Sequence, residues 1–390
     1  MEWVEKKSSE LYVSSSGLSK SSDQFGYGYP FLSYKDVFNN YYAPDKLSTL
    51  VNSTEKDRMK CSVKQGDVFL TRTSETTDEL GMSCVALHDY VNATFNGFTK
   101  RLRPLTDEIE PKYAAYYFRS PYFRSQCISL ASLITRASLN DGMIRRLKIR
   151  YPLNRKVQEK IGEILYTYDT LIENNTKRIR LLEKMAENLY KEWFVRFRFP
   201  GHENVEMENG LPKGWKYVNF SNLSPILTGK KDANYASQNG KYKFFTCSKN
   251  DLVADNYSFD CFAIILAGNG DLNVKLYDGQ FEAYQRTYVL SPYDVEHIYV
   301  SYYTIQSELD RLLVGAAGAV IKFLTKGMIE KIKVLLPTND VLVRFNSIQE
   351  HNYRLRQNLK RQISLLARQR DLLLPRLMSG KLEVKEELLE

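Results

Sequence analysis

Two stretches of the chain carry apolar residues at alternating spacings of three and four positions, a pattern typical of helices that pair along a narrow apolar seam. The first covers residues 161–193 and the second covers residues 345–377. We therefore predict two long helices that pair antiparallel within one chain; a coiled coil between two copies of the chain is the alternative. The predicted seam comprises Ile161, Leu165, Ile172, Asn175, Ile179, Leu182 and Leu189 in the first helix, and Ile348, Leu355, Leu359, Ile363, Leu366 and Leu373 in the second.

The ends of both helices follow from their flanking residues. Asn154 and Asn339 each come shortly after a proline and are predicted N-caps, because an Asn side chain accepts a hydrogen bond from a free N–H group of the first turn. Pro375 should end or kink the second helix near Leu374, since proline lacks the N–H that a helix needs. Asn175 is the one polar residue of the first seam, and a single buried Asn commonly fixes the register of a helix pair.

An internal repeat organises the chain. Residues 144–154, Ile-Arg-Arg-Leu-Lys-Ile-Arg-Tyr-Pro-Leu-Asn, align with residues 329–339, Ile-Glu-Lys-Ile-Lys-Val-Leu-Leu-Pro-Thr-Asn. Other residues that recur at matching spacings are Trp3, Leu11 and Gly17 with Trp215, Leu223 and Gly229, and Tyr116-Tyr117 with Tyr302-Tyr303. The repeat is close to half the chain, so it predicts a duplication with a pseudo-twofold, in which each globular unit is followed by a helix.

The intervals between the helices have the composition of mixed sheet and helix. Aromatic and β-branched runs, such as residues 66–72 and 261–267, alternate with clusters of Gly, Asn, Asp and Ser. We predict an α+β fold with two globular domains separated by the antiparallel coiled coil, and residues 199–214 as a Gly- and Pro-rich linker. The predicted boundaries are 1–150 for the first domain, 151–199 for the first long helix, 200–338 for the linker and second domain, and 339–390 for the second long helix and tail.

The net charge of +9 is concentrated in the two helical segments. Residues 144–199 hold 14 Lys and Arg against 7 Asp and Glu, and residues 341–380 hold 8 against 2. The preceding 143 residues are balanced, with 17 of each sign, and residues 200–340 hold 14 against 16. This distribution fits a polyanion such as nucleic acid, or acidic partner surfaces, as the ligand of the helices.

The sequence carries no motif typical of catalysis or of a bound cofactor. Neither a phosphate-binding G-x-x-x-x-G-K-[ST] nor a G-x-G-x-x-G occurs, and the four His residues are dispersed. The five Cys residues form no C-x-x-C pair, which favours reduced thiols in a cytoplasmic protein over a zinc site or disulfides. No apolar run approaches the ~18 residues of a membrane span. We predict a binding protein that has no catalytic residue, metal or cofactor of its own.

Three segments of the sequence resemble the DNA-specificity (S) subunit of type I restriction–modification enzymes. They are Ile161–Phe199, the restart Leu211-Pro-Lys-Gly-Trp215, and the ending Leu374-Pro-Arg-Leu-Met-Ser-Gly-Lys-Leu382. The duplicated architecture resembles that family as well, and together these features cover nearly the whole chain. The first domain differs in that it begins at Trp3 without a Pro-Lys-Gly lead.

The resemblance implies a function and a set of partners. Each globular domain would be a target recognition domain that reads one half of a split, asymmetric site in double-stranded DNA, and the paired helices would set the distance between the halves. Two methyltransferase (modification) subunits, which use S-adenosylmethionine, would dock on the helices. Restriction subunits, which use ATP, would join that core.

DNA contacts are expected from polar and basic side chains in loops, because base edges and phosphates both need short-reach donors and acceptors. For each residue the alternative is an ordinary solvated loop. The candidates are Ser16, Lys20, Tyr27, Thr71, Arg72, Thr73 and Arg136 in the first domain, and Thr228, Lys230, Lys231, Asn269 and Lys322 in the second.

Two other classes of function stay open at this point. A nuclease fused to recognition domains would need a metal-dependent site hidden among the many carboxylates. A structural coiled-coil adaptor that binds only proteins would carry the same helices but would leave no sequence-dependent footprint on DNA.

Overall fold

A computed structural model describes residues 2–130, 132–133, 137–315 and 323–384. The chain divides into two units: the first comprises residues up to Thr176 together with those from Lys360 onward, and the second comprises Lys177–Leu359. Each long helix therefore contributes one part to each unit. The architecture is α+β, as the sequence predicts.

The first unit contains a four-stranded antiparallel sheet in the order β2-β9-β5-β7 and two three-stranded sheets, in the orders β4-β3-β8 and β10-β11-β6. Strand β1 pairs antiparallel with β12. The strands are β1 Trp3–Lys7, β2 Tyr12–Ser16, β3 Phe25–Leu32, β4 Thr49–Val51, β5 Val68–Thr71, β6 Thr73–Ser74, β7 Ser83–Val85, β8 Thr94–Phe95, β9 Thr99–Pro104, β10 Ser132–Leu133, β11 Ala137–Ser138 and β12 Lys148–Pro152.

The short helices of the first unit begin at residues whose side chains satisfy free N–H groups. Ser33 and Thr54 each form a capping box with an Asp three residues later, and Asn140 accepts from the N–H of Met143 at 2.9 Å. The helices are α1 Ser8–Leu11, α2 Tyr34–Asn39, α3 Glu55–Lys60, α4 Pro111–Tyr117, α5 Pro121–Leu130 and α6 Asp141–Arg146, followed by the long helix α7 Arg155–Tyr190.

The second unit is built on one six-stranded sheet with the order β16-β21-β19-β20-β17-β18, and β15 pairs antiparallel with β22. Its strands are β13 Met207–Glu208, β14 Leu211–Pro212, β15 Lys216–Asn219, β16 Ile226–Thr228, β17 Tyr242–Phe245, β18 Leu252–Ala254, β19 Phe259–Ala267, β20 Val274–Ala283, β21 Thr287–Leu290 and β22 Lys333–Leu336. Its helices are α8 Ile298–Gly315, α9 Lys326–Glu330 and the long helix α10 Asn339–Ser379.

The two units repeat one topology, which confirms the internal duplication. The order β2-β9-β5-β7 of the first unit corresponds to β16-β21-β19-β20 of the second, with antiparallel pairing throughout. The strand pairs β1·β12 and β15·β22 also share a register: Val4 lies opposite Tyr151, and Lys216 lies opposite Leu336. Those are the positions that the sequence repeat brings into correspondence.

The long helices pair antiparallel in each unit, which confirms intramolecular pairing. In the first unit Asn175 donates to Gln362 at 3.1 Å, and Asp169 lies farther toward the start of α7 and accepts from Arg370. In the second unit the side-chain amide of Asn352 donates to the carbonyl of Leu182 at 3.1 Å. Asn175 is thus a buried polar seam residue with a partner on the other helix.

The predicted seam is correct except at one position. Ile348 is 46% exposed, and Gln349 is buried in its place, where it accepts from the Tyr303 hydroxyl at 3.0 Å. The reason is tertiary: the aromatic ring layer of Trp193, Phe194 and Phe345 sets the rotation of α10 in the core of this unit. The other predicted seam residues are buried or half-buried.

The ends of α10 differ from the sequence prediction. Asn154 caps α7, accepting from the N–H of Lys156 at 3.0 Å, but α10 begins at Asn339 itself, so the cap position falls on Thr338. Pro375 lies inside α10, which continues to Ser379. Proline removes one i→i−4 hydrogen bond at this point, and the last turn is held by the burial of Leu377 and Met378 in the core of the first unit.

The Gly- and Pro-rich segment 199–214 belongs to the second unit, where most of its residues are exposed and Phe199, Val205 and Leu211 contact the core. Strands β13 and β14 form a hairpin whose turn residues, Asn209 and Gly210, both have positive φ, as a two-residue hairpin turn requires. Phe199 stacks on Trp215 with ring centroids 5.0 Å apart, and both side chains are buried. Between α7 and this segment, Lys191–Val195 forms one π-helical turn.

Candidate nucleic-acid interface

In the first unit, four chain segments meet where the strands of the four-stranded sheet end. We call this the first strand-end surface, and its segments are Ser16–Ser19, Thr71–Thr73, Asn96–Lys100 and Ser138–Asp141. The N–H of Arg72 donates to the carbonyl of Phe98 at 3.1 Å, and the N–H of Leu139 donates to the carbonyl of Arg72 at 2.8 Å. Leu18 bridges Asn96 in the parallel sense. Backbone hydrogen bonds therefore fix loops that are far apart in sequence.

A close backbone approach at Gly17 holds the first of these loops against the sheet. A Cβ added there would lie 2.3 Å from the carbonyl oxygen of Asn96 and 2.4 Å from that of Phe95. No side chain fits in that space, so this position requires glycine.

The second unit repeats this arrangement in a second strand-end surface, with the segments Thr228–Asp232, Ala267–Asn269, Tyr284–Tyr288 and Phe323–Lys326. The N–H of Gly268 donates to the carbonyl of Arg286 at 2.9 Å, and the N–H of Leu324 donates to the carbonyl of Gly268 at 2.7 Å. These two bonds correspond to the bond from the N–H of Arg72 to the carbonyl of Phe98 and the bond from the N–H of Leu139 to the carbonyl of Arg72. Gly229 takes the place of Gly17, since a Cβ there would lie 2.0 Å from the carbonyl oxygen of Ala283.

The two surfaces differ in whether they contain a buried ion pair. In the first, the ammonium of Lys100, whose residue is only 4% exposed, donates to Ser16 at 2.8 Å and to Asp141 at 2.9 Å. Burial alone would raise the pKa of Asp141, but hydrogen bonds from Lys100 and Ser14 lower it below its usual value. Tyr288 lies at the register position of Lys100, and its hydroxyl donates to the carbonyl of Leu324 at 3.0 Å. The first surface is thus internally neutralised at this point.

The first-domain candidates fall into four groups. Ser16, Arg72 and Thr73 lie on the first strand-end surface, and of these Ser16 is exposed. Thr71 is fully buried, and its hydroxyl accepts from the N–H of Met82 at 2.9 Å, so its role is structural and the prediction that it contacts DNA is wrong. The prediction that Thr71 lies at the end of a strand is correct, but its side chain faces the core. Arg136 lies outside the described residues.

Lys20 lies beside the sheet β4-β3-β8, and Tyr27 is part of its strand β3. Lys20 forms an ion pair with Asp57 at 3.1 Å, at the start of α3. Tyr27 sits in a β-bulge of β3 between Gly26 and Gly28, which have φ of 95° and 94°. The bulge lifts Tyr27 out of the ladder, and the residue is 50% exposed.

The second-domain candidates lie together, apart from Lys322, which is outside the described residues. Thr228 and Lys230 are exposed on the second strand-end surface, and Asn269 is half-buried there and bridges Phe323. The ammonium of Lys231 lies 4.4 Å from the ring centroid of Tyr235.

The sequence is similar to known DNA-specificity proteins. Residues 2–184 match the family described as the type I restriction modification DNA specificity domain. The chain is similar to the type I restriction enzyme MjaIX specificity subunit of Methanocaldococcus jannaschii, with 25% identity over 99% of this chain and 94% of that protein. It is also similar to the EcoDI specificity subunit of Escherichia coli, with 38% identity over 33% of this chain and 29% of that one.

Residues 2–184 carry the specificity domain of that family, and the chain as a whole is similar to type I restriction specificity subunits. The fold agrees, since the crystal structure of an S subunit from M. genitalium superimposes with a TM-score of 0.61 at 15% identity and covers 96% of both chains.

Several features of the chain bear on ligands. Within the described ranges, no group of three His, Cys, Asp or Glu side chains is placed to hold a metal ion. All five Cys residues are free thiols. Among the helices that the structure describes, none is both long and apolar enough to cross a membrane.

Sequence reasoning missed three residues of the strand-end surfaces. They are Lys100 and Asp141, which pair with each other, and Arg286, which is exposed in the turn between β20 and β21. A basic run at residues 100–103 was the available signal for Lys100. Its partner could be found only once the register of β2 and β9 was known.

Proposed function

We propose that this specificity subunit binds double-stranded DNA and that each unit reads one half of a bipartite, asymmetric site. The observation that carries this proposal is the repeated strand-end surface. The same backbone bonds form in both units, while the side chains they present differ: Ser16, Arg72 and Lys100 in one correspond to Thr228, Gly268 and Tyr288 in the other. A common scaffold with different polar side chains suits two readers of different base sequences.

The partners and cofactors form part of the same proposal. Two methyltransferase subunits, which bring S-adenosylmethionine, dock on this chain, and restriction subunits, which bring ATP, complete the complex. The specificity subunit supplies the target choice and no reacting group. Its place of action is the cytoplasm, where it meets the DNA of its host.

Affinity for DNA is expected to be weak in the isolated chain. Phosphate neutralisation by Lys and Arg supplies most nonspecific affinity. On the first strand-end surface Lys100 is already paired with Asp141, and the nearby Lys20 is paired with Asp57. Tight binding should therefore need the basic surfaces of the modification subunits, and nanomolar binding of a short duplex by the chain alone in physiological salt would contradict this expectation.

The decisive experiment exchanges one recognition unit. Residues 1–143 are replaced by the equivalent segment of a relative with a known target, and methylated sites are mapped by single-molecule sequencing of host DNA. We expect one half of the recognised site to change and the other half to stay the same. A change in both halves would refute the assignment of one half-site to each unit.

The second experiment tests the long helices as the spacer. Inserting seven residues into both α7 and α10 adds about 10.5 Å at 1.5 Å per residue. The gap between the half-sites should then widen by about 3 base pairs, given 3.4 Å per pair. The same sequencing assay reads the gap, and an unchanged gap would show that the helices do not set the spacing.

A further inference from the structure

A groove on the first unit lies where the last turn of α10 meets the start of α5 and strand β12. Its volume is about 590 Å³. All of its lining residues belong to the first unit. The side chains that define it here are Ser120, Tyr122, Arg150, Arg376, Met378 and Lys381.

The walls of this groove are held together by Trp3. The guanidinium carbon of Arg150, on β12, lies 4.9 Å from the centroid of the Trp3 ring. Gly380, just after α10, has a φ of 74°, and a Cβ there would lie 2.7 Å from Nε1 of Trp3. One aromatic side chain therefore contacts both β12 and the end of α10, so the groove is already formed without a ligand.

This groove is lined by three cations and by no carboxylate. The cations are Arg150, Arg376 and Lys381. Within the described ranges, none of the three charged groups has an Asp or Glu oxygen within 4.0 Å. The Glu5 carboxylate, which accepts from the Tyr122 hydroxyl at 2.7 Å, is already paired with Lys148 at 2.9 Å. The groove thus keeps a positive charge that attracts an anion.

The start of α5 adds positive partial charge at the same place. Ser120 comes directly before this ten-residue helix, and its hydroxyl accepts from the N–H of Phe123 at 3.3 Å. The other N–H groups of the first turn carry partial positive charge, as at any helix start. A helix start combined with Arg and Lys side chains from separate elements suits the several oxygens of a phosphate group.

The groove is larger than a phosphate group alone needs. Its volume lies within the range of about 300–1,000 Å³ that is typical of sites for small organic molecules. Beside the cations it offers the ring of Tyr122, which is 42% exposed, together with Pro121, Pro375 and Met378. Apolar surface next to a cationic cluster favours a phosphate ester over inorganic phosphate.

The internal duplication does not repeat this groove. The registers of β1 with β12 and of β15 with β22 place Arg150 in correspondence with Leu335. Leu335 is 5% exposed and lies in the core of the second unit. The second unit therefore lacks the cation that β12 supplies, and one chain should bind one ligand.

We propose that this groove binds the phosphate ester of one small molecule of mononucleotide size. Arg150 from β12 and the pair Arg376 and Lys381 from the end of α10 hold the phosphate, so that the bound ligand ties the last turn of α10 to the first unit. The inference is independent of DNA reading, because no residue of the groove belongs to either strand-end surface.

The test measures binding of AMP to the full chain by isothermal titration calorimetry. Arg376→Gln and Lys381→Gln are combined in one variant; both residues are exposed, so the fold should tolerate the changes. We expect one AMP on each wild-type chain and an affinity at least tenfold lower in the variant, because two of the three cations are gone. Hydrogen exchange at residues 376–382 of the wild type should slow when AMP is bound.

The matched control removes the same two charges elsewhere. Arg145→Gln and Lys156→Gln change exposed residues outside the groove, and this variant should bind AMP as the wild type does. Adenosine, which lacks the phosphate, should not bind. The proposal is overturned if the wild type binds no AMP, if adenosine binds as tightly as AMP, or if the control loses as much affinity as the groove variant.

A short DNA duplex is the last ligand to be compared, since its backbone carries the same phosphate chemistry. The groove variant and the control have equal net charge, so they should bind the duplex equally well. If only the groove variant loses affinity for the duplex and AMP does not bind, the groove contacts the DNA backbone and the small-molecule proposal is wrong. The assignment of one half-site to each unit would be unaffected by that result.

Discussion

The two units share a four-stranded antiparallel core but differ in the strands beside it. In the second unit β20 is a single ten-residue strand, so the sheet is continuous across six strands. In the first unit the equivalent path is broken into β7 and β8, with residues 86–93 between them, and the sheet divides in two. The shared part is the four-stranded antiparallel core with its strand-end loops. This comparison shows that the fold can vary at one side of the sheet without disturbing the opposite ends of the strands.

A second difference lies in the helix that follows the sheet. Pro121 starts a new helix in the first unit, whereas α8 runs unbroken through the equivalent residues. Just before the break, the guanidinium of Arg119 donates to the carbonyl of Ser83 at 2.6 Å and to three carbonyls at the end of α2. Ile305 takes its place in the second unit and is buried among apolar residues. The first unit therefore uses a half-buried cation, Arg119, to hold the end of α2 against β7.

The largest expected effect tests what the units share. Gly17→Ala and Gly229→Ala each force a Cβ into backbone carbonyl oxygens, at 2.3 Å and 2.0 Å, so each should lower the free energy of unfolding by about 3 kcal/mol. Hydrogen exchange with mass spectrometry should locate the loss in the mutated unit.

Gly327→Ala serves as the control for this pair. It has open space around its Cβ position and lies in α9, so the substitution should be neutral or should stabilise by about 0.5 kcal/mol through helix propensity. If Gly17→Ala proves as mild as the control, the strand-end loop of the first unit is not held as the structure shows.

A smaller effect should distinguish the contacts between α7 and α10 in the first unit from those in the second. In the first unit Arg370 hydrogen-bonds to Asp169, which also accepts from the Tyr116 hydroxyl at 2.5 Å. Arg370→Met leaves the mostly buried Asp169 carboxylate without its cationic partner and should lower the free energy of unfolding by about 2 kcal/mol.

A comparable change in the second unit, also at an Arg of α10 that faces α7, should be nearly silent. The side chain of Arg356 is 10% exposed, its nearest carboxylate is Glu183 at 3.7 Å, and its Nε has no hydrogen-bond partner. Arg356→Met removes this poorly paired buried charge, so stability should change by less than about 0.5 kcal/mol or rise. Urea denaturation of both variants provides the comparison, and equal losses would contradict it.

The smallest effect concerns the strand-end charges and depends on pH. Asp141→Asn removes the partner of buried Lys100 and should cost about 1 kcal/mol at neutral pH, because the Asp141 carboxylate is half exposed. The pKa of Asp141 is lowered in the folded chain, so its contribution is complete above the unfolded pKa near 3.8 and is lost as the pH falls through the lower folded value. Denaturation curves for the wild type and the variant should therefore converge at acidic pH.

Lys326→Asn changes the equivalent position in the second unit. Lys326 is exposed, and its nearest carboxylate, that of Glu330, is 4.0 Å away. Its replacement should change stability by less than about 0.5 kcal/mol at every pH. A pH-dependent loss in this variant would show that the two surfaces are less different than their geometry indicates.

The sequence predicted the features that depend on periodicity and repetition. The long helices and their pairing follow from apolar residues spaced three and four positions apart, because a helix brings residues at that spacing to one face. The duplication follows from the repeat of residues 144–154 at residues 329–339. Ile348 was misplaced because aromatic packing around Phe345, not heptad counting, sets the rotation of the helix there. Thr71 was misassigned because the exit of a strand indicates a location and not the face on which a side chain lies. The Lys100–Asp141 pair joins residues 41 positions apart and needs the folded register to be seen.

One property of the first unit bears on how the chain is made. Its core combines residues near the start of the chain with Leu374, Leu377 and Met378, and Trp3 lies against Gly380. The second unit is one uninterrupted stretch, Lys177–Leu359. On the ribosome, the segment synthesised first must therefore wait for the last turns of α10, and the second unit can complete its core before the first.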